Sequence, residues 1–266
     1  MLDDIGVNEL LFCANMKVGV KDNYKESYSS QYSKETEGWR ELGAIKKVKN
    51  ILEITKGYIF KRVLEVGAGD GSILRFLSNE EFSSELYAVE ISKSGLLQIE
   101  SKKIKNLVSV QLFDGYQLPF EDKYFDLVIL THVLEHVEHE RLLLREIHRV
   151  TQKLVIEVPK DYRSGAENKI KHFLSYGHIN IYTPTLLKFL LLTERFKILN
   201  ESYKIYDKEI YLFMKKDLIT KLKAYLIYYG KLILSNVPLD YFRFKFINTI
   251  TLLLDAENDE VEIFKS

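Results

Sequence analysis

The sequence is short of cysteine, proline and net charge, and each shortage removes a class of protein. Cys13 is its only cysteine. An internal disulfide is therefore impossible, and so is a zinc cluster built on thiolates. Four prolines in 266 residues leave no long proline-rich linker. Lys plus Arg total 38 and Asp plus Glu total 38, so no global basic field exists to gather nucleic acid. No stretch reaches the roughly 18 consecutive apolar residues of a spanning helix. Met1-Leu2-Asp3-Asp4 is acidic and precedes no long apolar segment, which does not read as a secretory signal. A cytoplasmic setting is expected. No repeat and no low-complexity tract interrupts the chain.

What remains is 46% hydrophobic and 29% charged, enough for a substantial core. The chain is organised around Arg62-Val63-Leu64-Glu65-Val66-Gly67-Ala68-Gly69-Asp70-Gly71, an apolar run ending in three alternate glycines. Ile73, Leu74, Phe76 and Leu77 follow at helical spacing. A strand, a tight turn and a helix N-terminus in this order bring backbone close to a ligand.

Ahead of it, Tyr24, Tyr28 and Tyr32 share one face if 1–37 is helical, or belong to an arm that orders over a ligand. Trp39, Leu42, Ile45, Val48, Ile51 and Leu52 predict an amphipathic helix, with Gly57 as its stop. Beyond it, strands are expected at 86–90, 107–113, 125–130 and 153–158. Ser92 should cap a helix over 93–104, and Leu142, Leu143, Ile147 and Val150 mark another. Strands alternating with helices imply a mostly parallel sheet covered on both faces. Residues 160–182 read as a loop. Thr183-Pro184 starts a helix with Leu186, Leu187, Leu190 and Leu191 on its apolar face. Phe196 to Leu199 begins a sixth strand. Ile205 to Phe213 reads as a hairpin arm, 217–233 as a helix and 240–254 as a second, very apolar one. The last core strand is expected at 209–214 or 260–265, with the second preferred. The domains are then an arm (1–37), a core (38–216) and a helical insertion or extension (217–266) that can itself end in the last core strand.

Ser72 stands where a dinucleotide fingerprint would carry its third glycine. Glu90 closes the second strand, where an acid can accept both hydroxyls of a ribose. Its alternative is to cap the next helix. Asp114-Gly115 ends the third strand, where an acid can accept from an adenine amino group or simply make a turn. Glu65 and Asp70 make the glycine loop acidic. Such a loop suits a cationic, amine-bearing ligand better than a pyrophosphate.

The chain resembles the class I S-adenosylmethionine-dependent methyltransferases, in the small-molecule branch. Val63 to Gly71 is similar to that family's first motif almost letter for letter. The run Leu118-Pro119-Phe120, then Phe125 to Val137, is similar to its fourth motif and approach. The resemblance covers roughly 38–200. It implies a Rossmann-like α/β fold, a mostly parallel seven-stranded sheet with the last strand antiparallel, an N-terminal lid region that includes Arg40, and a late helical insertion. It implies S-adenosyl-L-methionine as cofactor and S-adenosyl-L-homocysteine as product. Glu65, Gly67, Ala68, Gly69 and Asp70 would surround its methionine part, Glu90 its ribose, Ile91, Asp114 and Gly115 its adenine, with Thr131 at the end of the fourth strand. One departure is Arg195 before Phe196, where the family usually carries glycine.

His132-Val133-Leu134-Glu135-His136 also fits the H-x-x-E-H pattern of zinc proteases, which needs both histidines on one helix. In this family, His132 or His136 could instead take a proton from the acceptor, or only fix the loop. His178 is a further candidate base. His139 and His148 read as helix-surface residues, and His172 as a loop residue. No metal is required. The expected acceptor is a small molecule or a glycan- or lipid-linked group, methylated at oxygen, with no nucleic acid. Residues 217–254, with Tyr225, Tyr228 and Tyr229, would contact a membrane surface, a partner copy or the core. Two other functions fit less well: a non-catalytic binding module and an NAD-dependent oxidoreductase.

Overall fold

The computed structural model describes residues 37–161, 170–213, 215–238 and 244–256. Tyr24, Tyr28 and Tyr32 and the segment 260–265 lie outside the described residues.

Helix α1 (Glu37–Ile54) leads into β1 (Phe60–Val66), α2 (Ser72–Asn79), β2 (Ser83–Glu90), α3 (Lys93–Ser101), β3 (Leu107–Leu112) and β4 (Phe125–Thr131). Then come α4 (Glu140–Val150), β5 (Thr151–Pro159), α5 (Ile170–Tyr176), α6 (Pro184–Thr193), β6 (Lys197–Lys204), α7 (Lys208–Leu212), α8 (Leu218–Ser235) and β7 (Thr249–Asp255). The seven strands lie in the order β3-β2-β1-β4-β5-β7-β6. β7 runs antiparallel to both neighbours, and the other pairs with β1, β2, β4 and β5 are parallel.

Two apolar layers hold the helices on the sheet. Ile51, Ile73, Leu77 and Ile99 join α1, α2 and α3 to one face. Leu143, Ile147, Leu187 and Leu191 join α4 and α6 to the other. All but Ile73 are fully or almost fully buried, each contributing about 1.5–3 kcal/mol of transfer free energy. Leu142 and Leu186, read as core-facing, are exposed, because each lies to one side of its helix's buried stripe.

Local signals place the helix starts. Ser92 accepts from Gly95 N, and Thr183 accepts from Leu186 N with Pro184 behind it. α3 stops earlier than expected, where Lys103 takes a φ of 46°. Arg195 has a φ of 68°. The left-handed conformation that suits the family's usual glycine is thus kept here by an arginine.

The late part of the chain corrects three expectations. Residues 160–182 include α5, and Ile205 to Phe213 contains α7 rather than a hairpin. The run expected as an apolar helix over 240–254 contains β7, the strand that completes the sheet. Thr249 to Leu254 are buried because β5 and β6 flank them and both faces are covered. A strand buried on both faces has no alternation to distinguish it from a buried helix. The core therefore does not close by 216, and α8 lies in an insertion between β6 and β7. α8 does not serve as a cover for the sheet: Ala224 is its one buried residue. Among the described residues no helix is long and apolar enough to cross a membrane.

Candidate functional site

The carboxyl ends of β1, β2 and β4 open on a cavity of about 510 Å³. Glu65, Gly67, Ala68, Gly69, Asp70, Glu90, Ile91, Gly115 and Thr131 line it, and so do His132, His136 and His178. Asp114 is not among the lining residues. Its Oδ1 accepts from Tyr116 N at 2.8 Å and Gln117 N at 2.7 Å, which shapes the turn that presents Gly115.

The turn after β1 is tied to β2 by Gly67 N and Ala68 N, which both donate to Val89 O. Gly67, Gly69 and Gly71 all have positive φ, of 71°, 60° and 75°. A Cβ on Gly67 would sit 2.6 Å from Val133 Cγ2. Gly67→Ala is therefore expected to cost roughly 1–2 kcal/mol in backbone strain alone, plus the overlap with a stiff β-branched side chain. A thermal melt together with ligand calorimetry would check this; an unshifted melt would contradict it.

Glu90 fastens the turn from the other side. Its Oε2 accepts from Gly69 N at 2.9 Å, and its Oε1 accepts from Ser92 N at 3.1 Å and Ser92 Oγ at 3.0 Å. Burial pushes its pKa up against these donors. Asp70 behaves in the opposite way. Burial would raise it, but the hydrogen bond from Ser72 and the Lys102 charge hold it below the usual carboxylate range. Arg40 stands 3.3 Å and Lys102 3.7 Å from its Oδ2. The loop is thus less acidic than its letters suggest, because Asp70 is already matched by cations from α1 and the end of α3.

Of the three acids around the turn, Glu65 is the unmatched one. It is 1% exposed, and its Oε2 has no hydrogen-bond partner among the described residues. Burial pushes its pKa well up, opposed by the Lys47 charge. A buried carboxyl oxygen facing a cavity without a donor is complementary to a ligand cation. Thr131 Oγ1 is buried beside the same cavity and also has no partner.

The far wall carries the histidines. His132 takes a φ of 56°, and its Nε2 lies 3.3 Å from Glu157 Oε1. Glu157 also accepts from Asn50 Nδ2 and Thr251 Oγ1, each at 2.7 Å. Burial would raise Glu157, but the His132 hydrogen bond and charge and these donors hold it below its ordinary value. His136 lies in a single 3-10 turn, Leu134–His136, and donates Nδ1–H to Gly177 O at 3.0 Å. Burial lowers its pKa. His178 Nδ1 meets Asp161 Oδ2 at 2.5 Å; burial would lower this histidine, but the aspartate bond raises it. The two rings are 4.9 Å apart. His132 and His136 do not share a helix, so the protease geometry is absent. His139 stands just before α4, His148 lies on it with its ring 5.2 Å from Phe196, and His172 falls within α5.

Sequence reasoning missed Glu157, Asp161 and Gly95. Glu157 had a signal, being an acid inside the otherwise apolar run Leu154 to Val158. Asp161 follows the end of β5, where polar residues gather at the sheet's carboxyl edge. Gly95 packs the start of α3 against the turn: a Cβ there would meet Glu90 Cγ and Gly69 O, each at 2.8 Å.

Residues 64–154 match the family model for a methyltransferase domain. The fold is that of a class I methyltransferase. YrhH of Bacillus subtilis (strain 168) is 33% identical over 93 residues, 34% of this chain and 52% of that protein. The ubiquinone/menaquinone biosynthesis C-methyltransferase UbiE of Neisseria meningitidis is 29% identical over 122 residues, 43% of this chain and 48% of its own. The chain thus spans about half the length of the curated relatives it matches. Phosphoethanolamine N-methyltransferase 2 of Haemonchus contortus, solved with S-adenosyl-L-methionine, shares the methyltransferase fold. Its TM-score is 0.57 at 16% identity, over 79% of this chain and 52% of that one.

The residues of this domain fit S-adenosylmethionine. The unmatched Glu65 oxygen suits its ammonium group, the glycine turn admits close approach, and Glu90 is an acceptor beside both. Three carboxylates around the turn do not suit the pyrophosphate of a dinucleotide.

Proposed function

We propose that the chain is an S-adenosylmethionine-dependent methyltransferase that methylates an oxygen of a small-molecule, glycan- or lipid-linked acceptor. The observation that carries the reading is the buried, unmatched Glu65 beside a glycine turn fastened by Glu90. The cofactor supplies an electrophilic methyl group on a sulfonium. In this reading Glu65 accepts from its ammonium, Glu90 from its ribose hydroxyls, and Ile91 and Gly115 flank its adenine. The walls exclude water and align the two reactants, which is most of what such a transfer needs. The histidine wall is the acceptor side, where a hydroxyl is held and gives up its proton. Leu218, Leu222 and Leu226 of α8 are all exposed, which supports a lipid-linked acceptor met at a membrane surface.

Calorimetry tests the reading. S-adenosylmethionine should bind and NAD should not. Because burial raises Glu65, the ligand ammonium should drive off its proton. Binding should therefore tighten as pH rises through the carboxyl's raised pKa, with proton release visible across buffers of different ionisation enthalpy. Glu65→Gln should abolish that release. Binding of NAD alone would overturn the reading. Labelled S-adenosylmethionine with acceptor panels then separates oxygen from carbon and nitrogen acceptors.

A further inference from the structure

We propose that Glu135, His136 and His178 bind one divalent first-row transition-metal ion, of the Zn²⁺ or Fe²⁺ type, on the acceptor wall of the cavity. One ligand atom from each, a carboxylate oxygen and two imidazole nitrogens, lies within 4.8 Å of the others. Ligands around such an ion stand about 3–3.5 Å apart, so small side-chain adjustments close the site.

Glu135 is the strongest element. It is 1% exposed, and neither carboxylate oxygen has a hydrogen-bond donor among the described residues. Its nearest cations would be His132 Nδ1 at 3.5 Å and His136 Nε2 at 3.9 Å. A carboxylate this buried without donors costs several kcal/mol, and a bound cation removes that cost.

The histidines are prepared in the way metal-ligating imidazoles are. His136 gives Nδ1–H to a backbone carbonyl, and His178 Nδ1 is bonded to the Asp161 carboxylate. Each bond fixes the ring and directs Nε2 chemistry toward the third partner. The scaffold holds the ligands in register. The backbone carbonyl of Glu135 accepts from Ile179 N at 2.9 Å and Asn180 N at 3.0 Å. Asn180 Nδ2 also donates to Val137 O at 2.7 Å. The 3-10 turn and the segment carrying His178 are thus stitched together without the three ligand side chains.

Two imidazoles and one carboxylate form an open site, and His136 and His178 both face the cavity. The nitrogen donors favour Zn²⁺, Fe²⁺, Co²⁺ or Mn²⁺ over Mg²⁺ and Ca²⁺, which prefer oxygen. The proposed site departs from the expectation, drawn from the sequence, that no metal is required. It also differs from the H-x-x-E-H pattern, since His132 is spent on Glu157 and the third ligand comes from His178. The ion's role rests on the proposed function; its binding does not. There it would hold the acceptor hydroxyl and ease its ionisation. The proton goes to water, an oxygen–methyl bond forms, and the sulfur–methyl bond breaks with its electron pair returning to sulfur.

The test uses the full chain, stripped with a chelator and titrated with Co²⁺ and Zn²⁺. About one equivalent should bind, with visible Co²⁺ bands of a nitrogen–oxygen site. Glu135→Gln and His178→Gln should each weaken binding at least about a hundredfold, and Asp161→Asn about ten- to hundredfold. S-adenosylmethionine calorimetry on the same samples reports folding and separates the two readings. His178 is less buried than Glu135, with 14% of its side chain exposed, so its variant keeps the test valid if Glu135→Gln unfolds. Metal binding that is absent, or unchanged in His178→Gln, overturns the inference while S-adenosylmethionine binding leaves the methyltransferase reading standing. Metal binding without S-adenosylmethionine binding does the reverse.

Discussion

Glu90→Ala is expected to lower S-adenosylmethionine affinity by roughly two to three orders of magnitude while leaving the protein folded. The proposed ribose contacts are two hydrogen bonds to a charged acceptor, worth about 1.5–3 kcal/mol each. Their sum corresponds to a factor of about 10² or more in Kd. A second effect adds to it. Glu90 Oε2 holds Gly69 N, so its loss also releases the turn that the ligand's methionine part would meet. The fold should survive because β2 keeps its ladders to β1 and β3. Glu90→Gln should fall between the two, since an amide can accept one bond but carries no charge. Calorimetry with S-adenosylmethionine and S-adenosylhomocysteine checks this. Retention of affinity within about threefold would remove Glu90 from the ribose and leave it the role of joining the turn to α3.

Glu157→Ala is expected to cost about 3–5 kcal/mol of stability, the largest loss from any single polar residue in the site. Glu157 is 1% exposed and joins Asn50 of α1, Thr251 of β7 and His132 after β4. Removing it strands two buried donors, on Asn50 and Thr251, and takes the partner of the half-buried His132 ring. Glu157→Gln should cost less, because it can still accept. Denaturant unfolding measures the loss, and a change below about 1 kcal/mol would contradict the account. The pH dependence has a definite sign. The folded pKa of Glu157 is depressed, so its stabilisation is present above the unfolded value near 4.3 and is lost as pH falls through the lower folded value. In Glu157→Gln that part of the acid sensitivity should disappear.

Local chemistry made the nucleotide half of the molecule readable. Glycines at 67, 69 and 71 and the caps at Ser92 and Thr183 act within a few residues, and their letters name their conformations. The half around β7 was not readable for the converse reason. Thr249-Ile250-Thr251-Leu252-Leu253-Leu254 is buried on both sides, so its period carries no label, and only pairing with β5 and β6 makes it a strand. The charge of the loop shows the same division. Asp70 is acidic in the sequence, yet Arg40 lies 30 residues away and Lys102 lies 32 residues away in the chain, and together they neutralise it in space.

By itself, then, the sequence determined the parallel sheet, the glycine turn and the acids that face it, because those depend on short-range backbone chemistry. Tertiary structure alone decided the rest. It left Glu65 unmatched at the glycine turn, placed Glu157 between three elements, and brought His178 from beyond β5 to within reach of Glu135 and His136. Such meetings depend on strand order and crossover connections, and no spacing along the chain encodes them.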